Sequence, residues 1–426
     1  MKQLLSHLYS INYWKNIPGF KTGFIRTSYI ESIKKALGNS LIKVLVGQRR
    51  TGKSYIIRQI IEYLINTEKI NSKNIFYLNK ELYEFDELET ASGLSELINF
   101  YEQELNVVGK IYIFIDEIQN ISDWEKIIVS LAQHSVKEYE VIITGSNSQM
   151  FSGELATKIA GRYIVFEILP FSYCEFLEYY NLENSKQNFI NYFETSGLPE
   201  IFNLPSDEIR KNYFHSLKDT ILLKDIMHRH KIRDYVLLEE IFLFLIHNVG
   251  NLTSISSIIK YFKSKNRKAD YTTISSYISF MQDAYIIRES PRYYVKTKEL
   301  LSGEKKYFVN DIGFRNYLFA RLKTDIGAIL ENIVFMHLIK EKYTVFTGND
   351  KNFEIDFVAE KNGAFLYVQV CYLLASQATI DREFGVLENI SDNFPKYVIS
   401  LDEIKIENSK GIKHLSIWEF LDFEKV

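Results

Sequence analysis

Cysteine occurs only twice in the 426 residues, at Cys174 and Cys371, far apart and with no metal-ligand spacing around either. A disulfide framework is excluded and a reducing interior is expected. Proline numbers 6 against 29 Tyr and 30 Phe, which excludes long open linkers, since those need polar, Pro-rich or Gly-rich sequence. Charge of one sign is lacking too: a net charge of −3 leaves any nucleic-acid binding to a local basic patch. No apolar run reaches the roughly 18 residues of a membrane span. The opening MKQLLSHLYSINYWK has no uninterrupted apolar core ahead of a small-residue cleavage site, so neither signal peptide nor membrane contact is expected, and the cytoplasm is the expected compartment. His228 and His230, in HRH, sit among charges and read as a solvated helix face rather than a metal site.

What is present is ordinary globular composition, 46% hydrophobic and 25% charged, at a length that implies two to four domains. From Leu41 to about Glu167 short apolar runs alternate with helical patterns: LIKVLVG, NIFYLN, IYIFIDE, EVIITGS and YIVFEI read as strands, separated by stretches such as SYIIRQIIEYLIN and DWEKIIVSLAQHS. Strands apolar on both faces that alternate with helices predict a parallel sheet in a three-layer α/β sandwich. Residues 171–250 read as helices with a turn at SGLPE. Residues 251–320 read as helices followed by two short strands, RYYVK and KKYFVND, and residues 321–426 return to α/β. The expected domains are therefore 1–170, 171–250, 251–320 and 321–426.

Residues 47–54, GQRRTGKS, lie between an apolar strand and a helix. Gly47 and Gly52 let the backbone curl so that amide N–H groups face phosphate oxygens at the start of a helix. Lys53 would reach the β- and γ-phosphates of ATP and the Ser54 hydroxyl would ligate Mg²⁺. The whole stretch Gly47, Gln48, Arg49, Arg50, Thr51, Gly52, Lys53, Ser54 and Tyr55 is the predicted nucleotide-binding segment. The strand IYIFIDEIQ ends in two acids: Asp116 would hold Mg²⁺, and Glu117 would orient and deprotonate the attacking water. At the end of VIITGSN, Ser146, or failing it Asn147, is placed for the γ-phosphate or the water, with a helix N-cap as the alternative. Arg162, just before the fifth strand, would act as a finger on a neighbouring subunit's nucleotide or else make a surface salt bridge.

At these residues the sequence resembles the AAA+ branch of P-loop ATPases, and within it a prokaryotic group of ATP-binding proteins with a C-terminal domain of unknown function. The matching stretches are VLVGQRRTGKSY, YIFIDEIQN, VIITGSNSQM, GRYIVFEILPFSYCEF, TSGLPE, ENIVFMHL, EIDFV and QVCY. The resemblance runs from about Arg26 onward. It implies an ATPase core, a helical lid, a winged-helix module and a nuclease-like α/β C-terminal domain.

In that last domain Glu331, Asp356 in EIDF and the strand LYVQVCY resemble the PD-(D/E)xK nuclease pattern, whose chemistry needs carboxylates for a divalent metal and a lysine for the scissile phosphate. Here the tripeptide reads Gln369-Val370-Cys371. A neutral amide and a thiol replace the acid and the lysine, which argues against a working metal nuclease and leaves Glu331, Asp356 and Gln369 as vestigial ligands. Lys396 is a substitute lysine that no spacing demands. In the winged-helix segment Lys260, Lys263, Lys265, Arg267 and Lys268 cluster around one loop, and Arg292, Lys296 and Lys298 follow in the wing. They read either as a weakly specific DNA surface or as a solvated charged loop. The expected function is Mg²⁺-dependent ATP hydrolysis whose nucleotide state moves the lid and C-terminal modules. The alternative is a DNA-associated binding protein or nuclease with ATP as a switch. A protein partner and a homo-oligomer are compatible with either.

Overall fold

The computed structural model describes residues 1–15, 21–148, 161–319, 326–350, 353–406 and 410–422. The chain divides into two compact units, Met1–Ile168 and Leu169–Val426. The expected boundary at 320/321 and the Gln149–Met150 end of the VIITGSNSQM stretch lie outside the described residues.

In the first unit, after helix α1 (Lys2–Ile11), five strands, β1 Ile42–Val46, β2 Ile75–Asn79, β3 Ile111–Asp116, β4 Tyr139–Gly145 and β5 Tyr163–Glu167, form one sheet in the order β2-β3-β4-β1-β5. Every pairing is parallel. Leu45, Ile142, Phe114, Tyr77 and Ile75 project from one face into a core shared with Tyr29, Ile30 and Ile33 of α2 (Thr27–Lys35) and with Ile56, Ile57, Ile60 and Ile61 of α3 (Lys53–Asn66). The opposite face meets α4 (Ala91–Leu105), where the rings of Phe76 and Tyr101 lie 5.1 Å apart, and α5 (Trp124–Ala132), which packs on β4. This is the expected three-layer sandwich. A charge pair inside its strands is satisfied internally: the buried Lys43 ammonium pairs with the buried Glu140 carboxylate, which also takes Lys110 at 2.8 Å.

Residues ahead of Arg26 do structural work. The Asn12 side-chain amide donates to the Tyr77 carbonyl at 2.9 Å while its oxygen accepts the Tyr77 N–H at 2.8 Å, and Trp14 Nε1 donates to the Ile75 carbonyl at 2.7 Å. Together these cover the exposed edge of β2.

The second unit holds helices Tyr173–Tyr180, Lys186–Glu194, Asp207–Thr220, Tyr235–His247, Ile255–Ser264 and Tyr271–Asp283, then an eight-stranded mixed sheet with helices Ile326–Lys340 and Gln377–Glu388. Residues Ile221–His228 continue the Asp207–Thr220 helix as a π-helix. The sheet runs β13 (Lys413–Ser416), β12 (Lys396–Ser400), β11 (Ala364–Val370), β10 (Phe353–Lys361), β9 (Thr344–Asp350), β7 (Ile287–Tyr294), β8 (Glu299–Val309) and β6 (Leu252–Thr253). The β7–β8 hairpin expected within 251–320 therefore joins the strands expected within 321–426: β7 pairs parallel with β9, Tyr293 opposite Gly348. One hydrophobic core runs from Tyr173 and Phe189 through Phe242, Ile278 and Phe308 to Phe357 and Phe420. The SGLPE turn is pinned within this unit. Asp311 accepts from Ser196 Oγ and from the Gly197 N–H, both at 2.7 Å, and a Cβ on Gly197 would fall 2.4 Å from the Phe171 carbonyl oxygen.

Candidate functional site

The strand order puts the predicted nucleotide residues at one edge. β4 lies between β1 and β3, with Val46 opposite Gly145 and Asn79 opposite Asp116, so the ends of all three strands open side by side. Glycine-rich turn and helix start follow from β1, the acids from β3 and the small polar residues from β4. That is the carboxyl edge of a parallel sheet, where ligands of α/β proteins bind.

The loop after β1 is bent by need. Gly47 has φ 140°, and a Cβ there would lie 2.3 Å from the Ile168 carbonyl oxygen. Gly52 is left-handed (φ 96°) and caps α3, and a Cβ on it would meet nothing within 4 Å. Backbone amides thus approach the loop interior closely without a side chain in the way. Arg50 also has positive φ, 72°. Gln48, Thr51 and Lys53 are buried and Tyr55 is exposed. Lys53 Nζ donates to the carbonyls of Gly47 (3.0 Å) and Gln48 (3.1 Å) and lies 4.0 Å from Glu117 Oε1. Arg49 pairs with Glu81.

Behind the loop, Asp116 is buried and its carboxylate takes hydrogen bonds from the Ser54 and Thr144 hydroxyls. Burial raises its pKa and the charge of Glu117 raises it further, with Ser54 and Thr144 opposing. Glu117 behaves oppositely. Burial would raise it, but the Lys53 ammonium, the Arg49 guanidinium and hydrogen bonds with Gln119 and Ser146 together outweigh that and hold the carboxyl below its ordinary value. Two adjacent acids with pKa values driven apart are a pattern of acid–base sites. Glu117 also sits at φ 54°, a conformation costly for a non-glycine residue.

Ser146 and Asn147, both buried, stand at the end of β4 as expected. Arg162 does not join this group. Its carbonyl accepts from the Ile42 N–H at the amino end of β1, while the loop leaves the carboxyl end, after Val46. Three residues that sequence reasoning passed over do belong. Thr144 bonds Asp116 and accepts the Glu117 N–H at 3.0 Å. Gln119 donates to Glu117 Oε2 and reaches Ser146 Oγ at 3.4 Å. Arg26 donates from Nη1 to the Thr51 carbonyl at 3.1 Å. A threonine inside a fully buried strand was a readable signal for the first; Arg26 carries none.

The donor set fits Mg²⁺: a hydroxyl and a carboxylate in contact are hard oxygen ligands. Among the described residues no group of three or more His, Cys, Asp or Glu forms a metal cage, and Mg²⁺ needs none when phosphates supply the remaining ligands.

A family model for an "AAA domain" matches residues 39–177, and one for a "Domain of unknown function (DUF8612)" matches residues 186–325. An "Uncharacterized protein" of Haemophilus influenzae is 32% identical over 400 residues, covering 93% of this chain and 98% of that one. The chain belongs to that family. "Uncharacterized protein MJ1544" of Methanocaldococcus jannaschii is 29% identical over 395 residues, 88% of this chain and 84% of that one. Among solved structures, the Walker-type ATPase PABY2304 of Pyrococcus abyssi superposes with a TM-score of 0.41 at 15% identity, over 70% of this chain and 96% of that one. The AAA-domain match takes in the strands and the GQRRTGKS loop of the first unit, and among the described residues no helix is long and apolar enough to cross a membrane.

The second unit brings Glu331, Asp356 and Gln369 together. The Asp356 N–H donates to Gln369 Oε1 at 3.3 Å and the Val370 N–H to Asp356 Oδ2 at 2.8 Å. Lys306 of β8 donates to Glu331 at 2.9 Å and to Asp356 at 3.3 Å. Burial first, and the Asp356 charge second, push the Glu331 carboxyl up, with the Lys306 ammonium opposing. Lys396 instead bonds the carbonyls of Asp392 and Phe394 and lies over the Tyr367 ring. Of the basic residues expected to meet DNA, Arg267 pairs with Glu240 and Asp234, Arg292 with Glu304 and Lys296 with Asp350, while Lys265 and Lys298 lie over the Tyr261 and Phe365 rings. Local acids and rings hold these cations.

Proposed function

We propose that the protein hydrolyses ATP with Mg²⁺, Glu117 acting as the base that takes the proton of the attacking water. The observation carrying this is the buried Glu117 carboxyl, 4.0 Å from the Lys53 ammonium, which lowers its pKa, and beside the Ser54–Asp116–Thr144 set. Backbone N–H groups from Gly47 to Ser54 would cradle the phosphates, and the Lys53 ammonium would exchange its bonds to the Gly47 and Gln48 carbonyls for phosphate oxygens. Ser54 and Asp116 would hold Mg²⁺, which when bound neutralises charge on the phosphates. Ser146 or Asn147 would contact the γ-phosphate or the water.

Arg162 lies at the far end of its own strand pair, which supports a role on a neighbouring copy's nucleotide and with it a homo-oligomer. The helices between Tyr173 and His247 are proposed as the lid whose position follows the nucleotide state. Three helices from Tyr235 to Asp283 followed by the β7–β8 hairpin support the winged-helix-like reading, and the meeting of Glu331, Asp356 and Gln369 supports a nuclease-like scaffold. The acids paired with Arg267, Arg292 and Lys296 count against a DNA-associated role.

Turnover of ATP by the purified protein tests the proposal. Lys53→Ala is expected to lose nucleotide binding, while Glu117→Gln keeps ATP bound and slows hydrolysis by about 10²–10⁴-fold. Failure of the unaltered protein to bind Mg²⁺–ATP at millimolar concentration would refute it.

A further inference from the structure

We infer that the Lys306 ammonium takes the place of a divalent metal ion in the C-terminal sheet, making this a lysine-centred charge cluster rather than a metal site. Three carboxylates from two elements converge on it: Glu331 Oε2 at 2.9 Å from the Ile326–Lys340 helix, and Glu354 Oε1 at 2.8 Å and Asp356 Oδ1 at 3.3 Å from β10. An ammonium has three N–H donors and no acceptor, so three carboxylates saturate it. The pattern that Glu331, Asp356 and Gln369 resemble calls for a metal at their meeting point, within about 2.6 Å of the same oxygens. Nζ lies against two of those three groups, Glu331 and Asp356.

Two further oxygens are committed as well. Asp356 Oδ2 accepts the Val370 N–H at 2.8 Å and Gln369 Oε1 accepts the Asp356 N–H at 3.3 Å. Nor does the lysine lie on a loose segment. β8 is flanked on both sides, with Lys306 opposite Leu252 of β6 and Ser290 of β7, and its side chain is 4% exposed. Withdrawing it would leave the Glu331 and Asp356 carboxylates facing one another without a counter-charge, which is strongly destabilising for a buried pair. A divalent ion therefore has no free ligand set here, and the group of residues does not fit the metal its pattern implies. Its work is mechanical: one cation clamps β8 to β10 and to the Ile326–Lys340 helix.

Mn²⁺ titration of the nucleotide-free protein, followed by electron paramagnetic resonance and thermal unfolding, tests this. Unaltered protein and Asp356→Asn are expected to take up the same amount of Mn²⁺, because none of it binds at this cluster. Lys306→Ala is expected to unfold at a lower temperature and to regain several degrees on adding Mn²⁺, a rescue absent from the Lys306→Ala/Asp356→Asn double variant. Mn²⁺ uptake by the unaltered protein that Asp356→Asn abolishes overturns the inference, as does Asp356-dependent, Mn²⁺-dependent cleavage of DNA. If Lys306→Ala does not fold, the milder Glu354→Gln, at a half-exposed carboxylate, replaces it in comparing Mn²⁺ uptake with the unaltered protein: equal uptake supports the clamp, and loss of a site overturns it.

Discussion

The Gln119 side-chain amide donates to the Glu117 carboxylate and lies 3.4 Å from Ser146 Oγ, so one amide joins the proposed base to the end of β4. This bond favours the ionised form of Glu117. Gln119→Ala should therefore raise the Glu117 pKa and move the acid limb of the kcat–pH profile to higher pH. A roughly tenfold fall in kcat with ATP affinity unchanged is expected, the size of about 1.4 kcal/mol of lost positioning. Single-turnover hydrolysis across pH, beside equilibrium nucleotide binding, checks both parts.

Thr144 serves two acids at once, donating to Asp116 and accepting the Glu117 N–H. Thr144→Val keeps the shape and removes both bonds, leaving a buried N–H without its acceptor. A loss of about 1–3 kcal/mol is expected, read as a lower urea midpoint, together with a higher Mg²⁺ requirement for hydrolysis. Unchanged Mg²⁺ dependence would show that Thr144 only supports the fold.

Gly47→Ala places a methyl 2.3 Å from the Ile168 carbonyl oxygen, a backbone atom that no rotamer change can move aside. Loop and β5 end must part. ATP binding is expected to weaken by at least about tenfold, while the far-ultraviolet circular dichroism stays that of a folded protein, since the sheet itself is untouched.

Asp311 is buried under donors from Ser196, Gly197 and Gly313. Burial pushes its carboxyl up to about 6, with those donors opposing. A raised carboxyl pKa favours the folded state while the group is protonated. Its contribution is complete below the ordinary carboxyl value and lost as pH rises through about 6. A shift of about two units corresponds to roughly 3 kcal/mol. Asp311→Asn should flatten the pH dependence of the urea midpoint between about pH 4 and pH 6, whatever its effect on absolute stability.

The candidate site was legible because each of its parts is local. GQRRTGKS carries its own turn and helix start, and the apolar runs before Asp116 and Ser146 announce buried strands that end in polar groups. What was missed depends on partners distant in sequence. Gln119 acquires meaning only once Glu117 turns to positive φ. Asn12 and Trp14 belong to no motif and matter because β2 happens to be the edge strand. Residues Ile221–His228 carry the apolar spacing of an α-helix and wind as a π-helix. Lys306, in KKYF, belongs to no motif, since nothing along the chain signals that Glu331, Glu354 and Asp356 will surround it. The pairing of β7 with β9 is equally non-local, which is why 251–320 and 321–426 read as separate modules.

That pairing sets where the chain can be cut. A fragment ending after Asp311 would keep β7 and β8 but strip β7 of its neighbour beyond Arg292–Tyr294, baring a row of unmatched peptide groups. It would also carry the Lys306 ammonium on a face meant to be dry, with every acid that neutralises it left on the discarded piece. Such a fragment would stick to other strands rather than fold as an independent DNA reader, so proteolytic dissection of this protein should yield two stable pieces, split near residue 168, and not four.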